Sequence, residues 1–307
     1  MSDATPAAGI EPGSDPRASV RERVFVVGAG IMGSGIAAQC ALAEYPVTLA
    51  DVNEELARRG LANAERALDH ATRKGAIGAG EKESALGRID VAIGLRRADR
   101  AQIVVEAAPE DLGLKRQLFR ELEGTASPGA LLASNTSSLP ITQIAQGLAD
   151  PGRLVGLHFF NPVLQMPLVE LIPGHTSRPE VVERARAFAV RLGKTVVTSR
   201  DTPGFVTTRA LAVLLNEAAW MLFEGVATKE DIDTAYKLGF RHPMGPFELA
   251  DLVGLDTALA ILDVLWDGFR DPRYRACPLW RTLVAAGKLG RKSGEGFYAY
   301  PPRGSGA

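Results

Sequence analysis

Short apolar runs alternate with longer amphipathic stretches through the first two thirds of the chain. The runs VFVV, VTLAD, IDVAI and IVVE are rich in β-branched residues, which is typical of strands buried on both faces. From Asn53 to Lys74, apolar positions at helical spacing lie among many charges and predict an amphipathic helix with one exposed face. Strands that alternate with helices in this way predict an α/β fold with a mostly parallel sheet.

Four more apolar runs continue the pattern up to residue 199. They are ALLASN, LVGLH, PLVELI and TVVTS, and each predicts a strand. Further helices are predicted after the turn KGAIGAGEKES, within AAPEDLGLKRQLFRELE, from near Leu139, and within RPEVVERARAFAVRLG. Ligands of open α/β sheets lie at the carboxyl ends of the strands, so polar residues that follow these runs are candidates for a binding site.

The pattern changes after the breaker cluster DTPGF at residues 201–205, where we expect a domain boundary. An α/β domain over residues 21–201 is then followed by an all-α C-terminal domain over residues 202–307. This helical half is rich in Leu, Ala and Trp beyond the needs of its own core, which favours a homodimer through it. Residues 1–20 are rich in Pro, Gly, Ser and Asp and are expected to form a disordered leader.

Composition excludes several classes of partner. With 35 basic and 36 acidic residues the net charge of the 307-residue chain is -1, so charge gives no reason to expect a nucleic-acid or membrane-surface partner. No apolar run is long enough to span a membrane. The two cysteines, Cys40 and Cys277, form neither a disulfide framework nor a metal set, which suits a cytoplasmic protein without a metal.

A glycine-rich turn follows the first predicted strand. Gly28, Gly30 and Gly33 form G-x-G-x-x-G between a strand and a helix, the Rossmann pattern in which backbone amides bind a pyrophosphate. Ile31 and Met32 lie within this turn and are expected to contact the dinucleotide as well. Asp51 ends the second strand, 21 residues after Gly30, where a carboxylate accepts hydrogen bonds from the ribose hydroxyls and repels a 2′-phosphate. The turn therefore predicts NAD rather than NADP as cofactor; a structural turn with Asp51 as a helix cap is the alternative.

The segment HFFNPVLQMPLVE carries the candidate catalytic residues. His158 precedes Glu170 by twelve residues, and both lie on predicted strands, LVGLH and PLVELI, that bring them near the same edge of the sheet. An imidazole held by a carboxylate is suited to accept and return a proton at neutral pH. The alternative is that His158 is a hydrogen-bonded core residue without a role in chemistry.

Two further polar features have open interpretations. Ser137 follows the strand ALLASN, where it either meets the cofactor or substrate or caps the helix near Leu139. The basic cluster of Arg66, Arg73 and Lys74 either contacts an anionic ligand or is a solvated helix face.

Several segments together resemble the L-3-hydroxyacyl-CoA dehydrogenase family, including its bacterial 3-hydroxybutyryl-CoA members. They occur in the family's order between Arg23 and Tyr300, and HFFNP and GRKSGEGFY are more specific than the glycine pattern. The segments are GAGIMGSGIA, VVEAAPEDLGLK, ASNTSS, HFFNP, PLVELIPG, HPMGPFELADLVGLD and GRKSGEGFYAY.

The resemblance implies a role for each matched position. His158 corresponds to the catalytic base, and Glu170 corresponds to its paired carboxylate. The polar groups implied around the reacting oxygen and the nicotinamide are Ser137 and Asn161. Positions implied to contact the dinucleotide or close over it are Glu110, Lys115 and Lys292, while Lys74 lies on the helix that meets coenzyme A.

The chain departs from the family pattern at Thr208. Many relatives read GFxxNR at the start of the helical domain, whereas this chain reads GFVTTR, so Thr208 replaces an asparagine near the substrate. Threonine lacks the reach of the amide and its second donor, and the acyl preference is the property that this change affects.

The resemblance implies NAD-dependent oxidation of a 3-hydroxyacyl-CoA, of short chain such as 3-hydroxybutyryl-CoA, to the 3-ketoacyl-CoA. Two alternatives stay open. One is an NAD dehydrogenase of a free hydroxy acid, such as a sugar acid or carnitine, and the other is a non-catalytic structural relative like certain lens crystallins.

Overall fold

An eight-stranded sheet forms the centre of the first two thirds of the chain. The computed structural model describes residues 22–300, and the predicted leader over residues 1–20 lies outside this range. The strands are β1 (Val24–Val27), β2 (Val47–Asp51), β3 (Ile89–Ile93), β4 (Ile103–Glu106), β5 (Leu131–Ser134), β6 (Leu154–Phe159), β7 (Leu168–Pro173) and β8 (Thr195–Thr198). Their order across the sheet is β3-β2-β1-β4-β5-β6-β7-β8.

Helices pack on both faces of this sheet and continue alone after it. The helices of the sheet region are α1 (Ile31–Leu42), α2 (Glu54–Arg73), α3 (Ala79–Leu86), α4 (Leu112–Thr125), α5 (Ile141–Ile144) and α6 (Pro179–Arg191). Those of the remaining chain are α7 (Thr207–Phe223), α8 (Lys229–Gly239), α9 (Pro246–Val253), α10 (Leu255–Phe269) and α11 (Pro278–Ala285).

Burial explains why the central strands are continuous apolar runs. Every residue of β1, β4, β5 and β6 is buried. One face packs against α1, α2, α3 and α6, and the other against α4 and α5, so both faces are covered. This architecture confirms the predicted α/β, mostly parallel sheet followed by a helical region.

The single antiparallel pair in the sheet is the one that brings the candidate catalytic residues together. β6 and β7 run in opposite directions, and all other neighbouring strands are parallel. The register of this pair places His158 directly opposite Glu170. Side chains at such opposed positions lie on the same face of the sheet, so the two must meet.

Two predicted helices begin elsewhere than expected. α3 begins at Ala79, inside the segment predicted as a turn, because Glu81 accepts a hydrogen bond from the N–H of Gly78 and starts the helix early. The helix predicted near Leu139 is the four-residue α5, whose first amides, those of Ile141 and Thr142, donate to the distant carboxylate of Asp201 at 2.6 and 2.7 Å. Its N-terminal partner is therefore supplied from across the fold.

The helical region has its own apolar core, with Trp280 and Tyr274 fully buried at its centre. Asn216 links three parts of it, donating to the carbonyl of Arg275 and accepting from the N–H of Cys277 and the indole N–H of Trp280. These bonds satisfy the amide and fix α7 against α11.

Candidate active site

The glycine turn has the geometry that a dinucleotide requires. Gly28 has a φ of +93°, and a Cβ there would approach the carbonyl oxygen of Ala107 to 2.6 Å. A Cβ on Gly33 would overlap the carbonyl oxygen of Gly28, so this glycine permits close packing of α1 on β1. Around a Cβ on Gly30 there is no described protein atom within 4 Å, which leaves the start of α1 open to a ligand.

Asp51 is fixed beside this turn at the end of β2. Its carboxylate accepts hydrogen bonds from the N–H of Ala29 and of Val52, both at 2.7 Å. The alternative of a helix cap is wrong, because Asn53 caps α2 by accepting from the N–H of Leu56. Turn and carboxylate together fit a dinucleotide whose ribose lies against β2.

His158 and Glu170 form a buried hydrogen-bonded pair. The distance from Nδ1 of His158 to Oε2 of Glu170 is 2.7 Å, and the two side chains are 7% and 0% exposed. An ionised carboxylate only accepts hydrogen bonds, so Nδ1 carries the proton and Nε2 is the basic nitrogen. Nε2 makes no hydrogen bond to any residue between 22 and 300.

Glu170 is also the polar partner of the start of α7. Its Oε1 accepts from the N–H of Thr207 at 2.9 Å and of Val206 at 3.2 Å, and its Oε2 accepts from the hydroxyl of Thr207 at 3.0 Å. Burial raises the pKa of the Glu170 carboxyl, but the bonds from His158 and Thr207 outweigh it, so the pKa lies below its ordinary value. The carboxylate is therefore charged at neutral pH.

A cavity of about 220 Å³ opens beside this pair, between the sheet and the helical region. Its polar lining comes from His158, Ser137 and the threonines Thr207, Thr208 and Thr257, and most of the other lining residues are apolar side chains of α7 and α10. The hydroxyls of Ser137 and Thr208 have no hydrogen-bond partner among residues 22–300, so both are able to bond a ligand. A substrate hydroxyl in this cavity would meet a base and a second polar group in mostly apolar surroundings.

Glu110 and Lys115 organise the loop that carries Ser137. Oε1 of Glu110 accepts from the N–H of Ser137 at 2.9 Å and from the hydroxyl of Thr136 at 2.6 Å. Burial raises the pKa of Glu110. The charge of Lys115 and these hydrogen bonds lower it by more, so the pKa of Glu110 lies below its ordinary value. Lys115 is itself buried, with Nζ 2.6 Å from the carboxylate of Glu106.

The alternative role of Ser137 as a helix cap is wrong. The residue before α5 is Pro140, and the first amides of that helix are bound by Asp201. Ser137 instead lines the cavity.

Other predicted residues lie outside the cavity. Asn161 is exposed and does not line it, and Lys74 is exposed at the end of α2. Lys292 donates to the carboxylate of Asp256 at 2.7 Å, beside the junction of α9 and α10. No residue cluster within the described range 22–300 has the composition of a metal site, and none of its helices meets the length and apolarity of a membrane span.

The 3-hydroxyacyl-CoA dehydrogenase family accounts for both parts of the chain. The profile of its NAD-binding domain matches residues 23–202, and the profile of its C-terminal domain matches residues 204–300. The chain belongs to this family. Membership makes it an NAD-dependent oxidoreductase that acts on a CH–OH group, as the sequence resemblance implied.

Relatives within the family are similar over almost the whole chain. The 3-hydroxybutyryl-CoA dehydrogenase of Bradyrhizobium diazoefficiens is 44% identical over 92% of this chain and 97% of its own length. The crystal structure of FadB2 of Mycobacterium tuberculosis has a TM-score of 0.89 and 42% identity, covering 92% of this chain and 100% of that one. That of the (S)-3-hydroxybutyryl-CoA dehydrogenase PaaH1 of Ralstonia eutropha has a TM-score of 0.87 and 41% identity, with the same coverage.

Sequence reasoning about this family member missed Thr207 and Asp201. Thr207 stands next to the noted Thr208, and a threonine at the first position of a helix is the signal that could have drawn attention to it. Asp201 belongs to the breaker cluster DTPGF in the sequence, and its carboxylate binds α5 sixty residues away. No spacing in the sequence reveals such a contact.

Proposed function

We propose that the chain catalyses the reversible oxidation of a 3-hydroxyacyl-CoA to the 3-ketoacyl-CoA, with His158 as the general base. The observation that carries this assignment is the His158–Glu170 pair, with its free Nε2 at the wall of the cavity. A base in that place is within the reach needed to accept a proton from a bound hydroxyl.

In this mechanism the substrate hydroxyl loses its proton to Nε2 of His158 as hydride leaves C3. NAD supplies the two-electron acceptor for that hydride. Glu170 stabilises the imidazolium that forms and keeps the proton on Nδ1. In the reverse reaction Nε2 returns its proton to the substrate oxygen. Ser137 holds the substrate oxygen in line through its hydroxyl, which is an orientation effect and transfers no proton.

The remaining site residues are part of the same proposal. The pyrophosphate lies against the glycine turn, which consists of Gly28, Gly30, Ile31, Met32 and Gly33. Asp51 binds the adenosine ribose. Support comes from the open backbone at Gly30 and from the exposure of Ile31, which is 70% accessible beside it.

Five further residues belong to the proposal: three contact a ligand from the rim of the site, and two act through a loop. Asn161 orients the nicotinamide end of the site, and Lys292, held by Asp256, closes over the dinucleotide. Glu110 and Lys115 act on the cofactor through the loop that they hold in place. Lys74 meets the phosphates of coenzyme A from the exposed end of α2.

The proposed substrate is a 3-hydroxyacyl-CoA with a short acyl chain, because two similar proteins are named 3-hydroxybutyryl-CoA dehydrogenases. Thr208 lines the part of the cavity in which the acyl group would lie. Its single hydroxyl gives one hydrogen bond where an asparagine offers more, so Thr208 tunes which acyl group is preferred.

We also propose a homodimer that forms through the helical region. Four large apolar side chains on α7, α8 and the residues that follow them are more than half exposed: Phe223, Val226, Leu238 and Phe240. Apolar groups of this size are usually covered in solution.

The free, buried thiols of Cys40 and Cys277 suit the cytoplasm as the compartment.

The test is the rate of NADH oxidation with acetoacetyl-CoA, longer 3-ketoacyl-CoAs, a dicarboxylic analogue and the corresponding free acids. We expect turnover with the coenzyme A thioesters, fastest with acetoacetyl-CoA, and none with the free acids. Activity on a free acid without coenzyme A favours the alternative dehydrogenase, and no activity on any compound favours a non-catalytic relative. Equal rates with NADPH would contradict the role of Asp51.

A further inference from the structure

The carboxylate of Glu170 is shared between the catalytic histidine and the first turn of α7. Oε2 accepts from Nδ1 of His158 at 2.7 Å and from the hydroxyl of Thr207 at 3.0 Å. Oε1 accepts from the backbone N–H groups of Thr207 and Val206. Thr207 alone therefore supplies two of the four hydrogen bonds at this carboxylate.

The Thr207 hydroxyl lies at the first position of α7, where no preceding turn of the helix offers it a carbonyl. Threonine hydroxyls in helices commonly donate to a backbone carbonyl of the preceding turn. Here the hydroxyl donates to a buried carboxylate on β7, and α7 has no side-chain cap of its own. The first turn of α7 thus donates hydrogen bonds that its own helix cannot accept, and Glu170 accepts them. Thr207 lies at the wall of the active-site cavity.

We propose that Thr207 is a positioning residue of the reaction, whose hydroxyl, bound to the same oxygen as His158, aligns Glu170 and limits how strongly that carboxylate holds the imidazolium. The inference rests on the proposed role of His158 as the base. It gives the start of the helical region a direct influence on proton transfer.

The physical argument follows from the shared oxygen. A single carboxylate oxygen that accepts two hydrogen bonds shares its negative charge between the two donors. Each donor is therefore bound less strongly than it would be without the other. Without the Thr207 hydroxyl, Oε2 would interact with His158 only and stabilise the imidazolium more. His158 would then become a neutral base only at a higher pH.

Other charged groups near the pair have partners of their own. Arg209 on α7 donates to the hydroxyl of Tyr274, and Asp201 after β8 binds the amides of α5. Further charged groups on neighbouring elements that are bound away from the pair include Glu110, Arg184 and Lys194. The Thr207 hydroxyl is therefore the side-chain donor that faces this carboxylate beside His158.

Thr207→Val and Thr207→Ser separate the hydroxyl from the rest of the side chain. Valine conserves the shape and keeps the backbone N–H, so α7 stays bound to Oε1, whereas serine keeps the hydroxyl and loses the methyl. The dependence of kcat/KM on pH is measured for both, and Thr207→Ala is added so that a folding defect in one variant does not decide the result.

We expect the acid limb of the Thr207→Val profile to move to higher pH by about half a unit, and Thr207→Ser to match the wild type. The NMR titration of His158 in the protein without substrate should move in the same direction. Its signal is identified among the four histidines by its loss in His158→Gln.

An unchanged acid limb and an unchanged NMR titration in Thr207→Val would overturn the inference, as would an equal shift in Thr207→Ser. If His158→Gln is inactive while Thr207→Val is unshifted, only this inference fails. If His158→Gln stays active, the proposed function itself fails.

Discussion

Glu170 serves the imidazole and the backbone of α7 with one carboxylate. Its Oε1 is bound by two amides, which fixes the group, while Oε2 is left for His158 and Thr207. His158 and Glu170 could be predicted from the sequence because they lie in one short segment with a recognisable pattern. The partner of Thr207 could not, because a threonine at the start of a helix gives no sign of the strand, 37 residues earlier, whose carboxylate it binds.

Glu170→Gln should lower turnover roughly tenfold to a hundredfold, since it removes the charge that stabilises the imidazolium in a buried site. NAD affinity should stay the same, because Glu170 lies away from the glycine turn. Turnover and NAD binding by fluorescence are measured together. A variant with normal turnover would show that His158 needs no charged partner.

The lowered pKa of Glu170 also predicts how stability depends on pH. The bound carboxylate stabilises the folded state at pH values above its ordinary pKa of 4.5, and this contribution is lost as the pH falls through the lower folded-state pKa. The free energy of unfolding in urea should therefore keep this contribution from about pH 8 to 5 and lose it below about pH 4. The fall should be shallower in Glu170→Gln, and equal slopes in the two proteins would contradict the lowered pKa.

β7 is the strand on which the site depends, because it pairs antiparallel with β6 and so places Glu170 opposite His158. The strands themselves could be predicted from their apolar runs, since burial on both faces imposes such composition. The direction of β7 and the early start of α3 could not, because they depend on pairing and capping contacts. α5 is a third such case, since Asp201 supplies its N-terminal partner.

Asp201→Ala should reduce the free energy of unfolding by about 1 to 2 kcal/mol, because two amides at the start of α5 lose their acceptor. The matched control is Asp267→Ala, which removes an exposed pair with Arg270 and should change stability by less than about 0.5 kcal/mol. Both are measured by urea denaturation. Equal effects in the two variants would exclude a special role for Asp201.

The apolar surface of the helical region sets the expected assembly of the chain. Composition alone indicated more apolar residues than one helical core needs, and the exposed side chains of Leu238 and Phe240 lie at the end of α8. The position of this surface could not be predicted, since helical periodicity does not tell which apolar face meets its own core.

Sedimentation velocity at micromolar concentration should show a dimer for the wild type and a monomer for the variant Leu238→Asp with Phe240→Asp. A buried charge at an apolar interface has no partner and separates the subunits. Ile93→Asp, at an exposed apolar position on β3, is the control and should remain dimeric. A monomeric wild type would contradict the proposal.

The role of His158 is tested most directly by the rate of NADH formation after rapid mixing of the NAD-bound protein with (S)-3-hydroxybutyryl-CoA. The comparison is between the wild type, His158→Gln and the control His175→Gln, which changes an exposed histidine outside the cavity. We expect His175→Gln to form NADH at the rate of the wild type. His158→Gln should bind NAD normally but form NADH roughly a hundredfold more slowly, or more slowly still. A rate near that of the wild type in His158→Gln would contradict its assignment as the base.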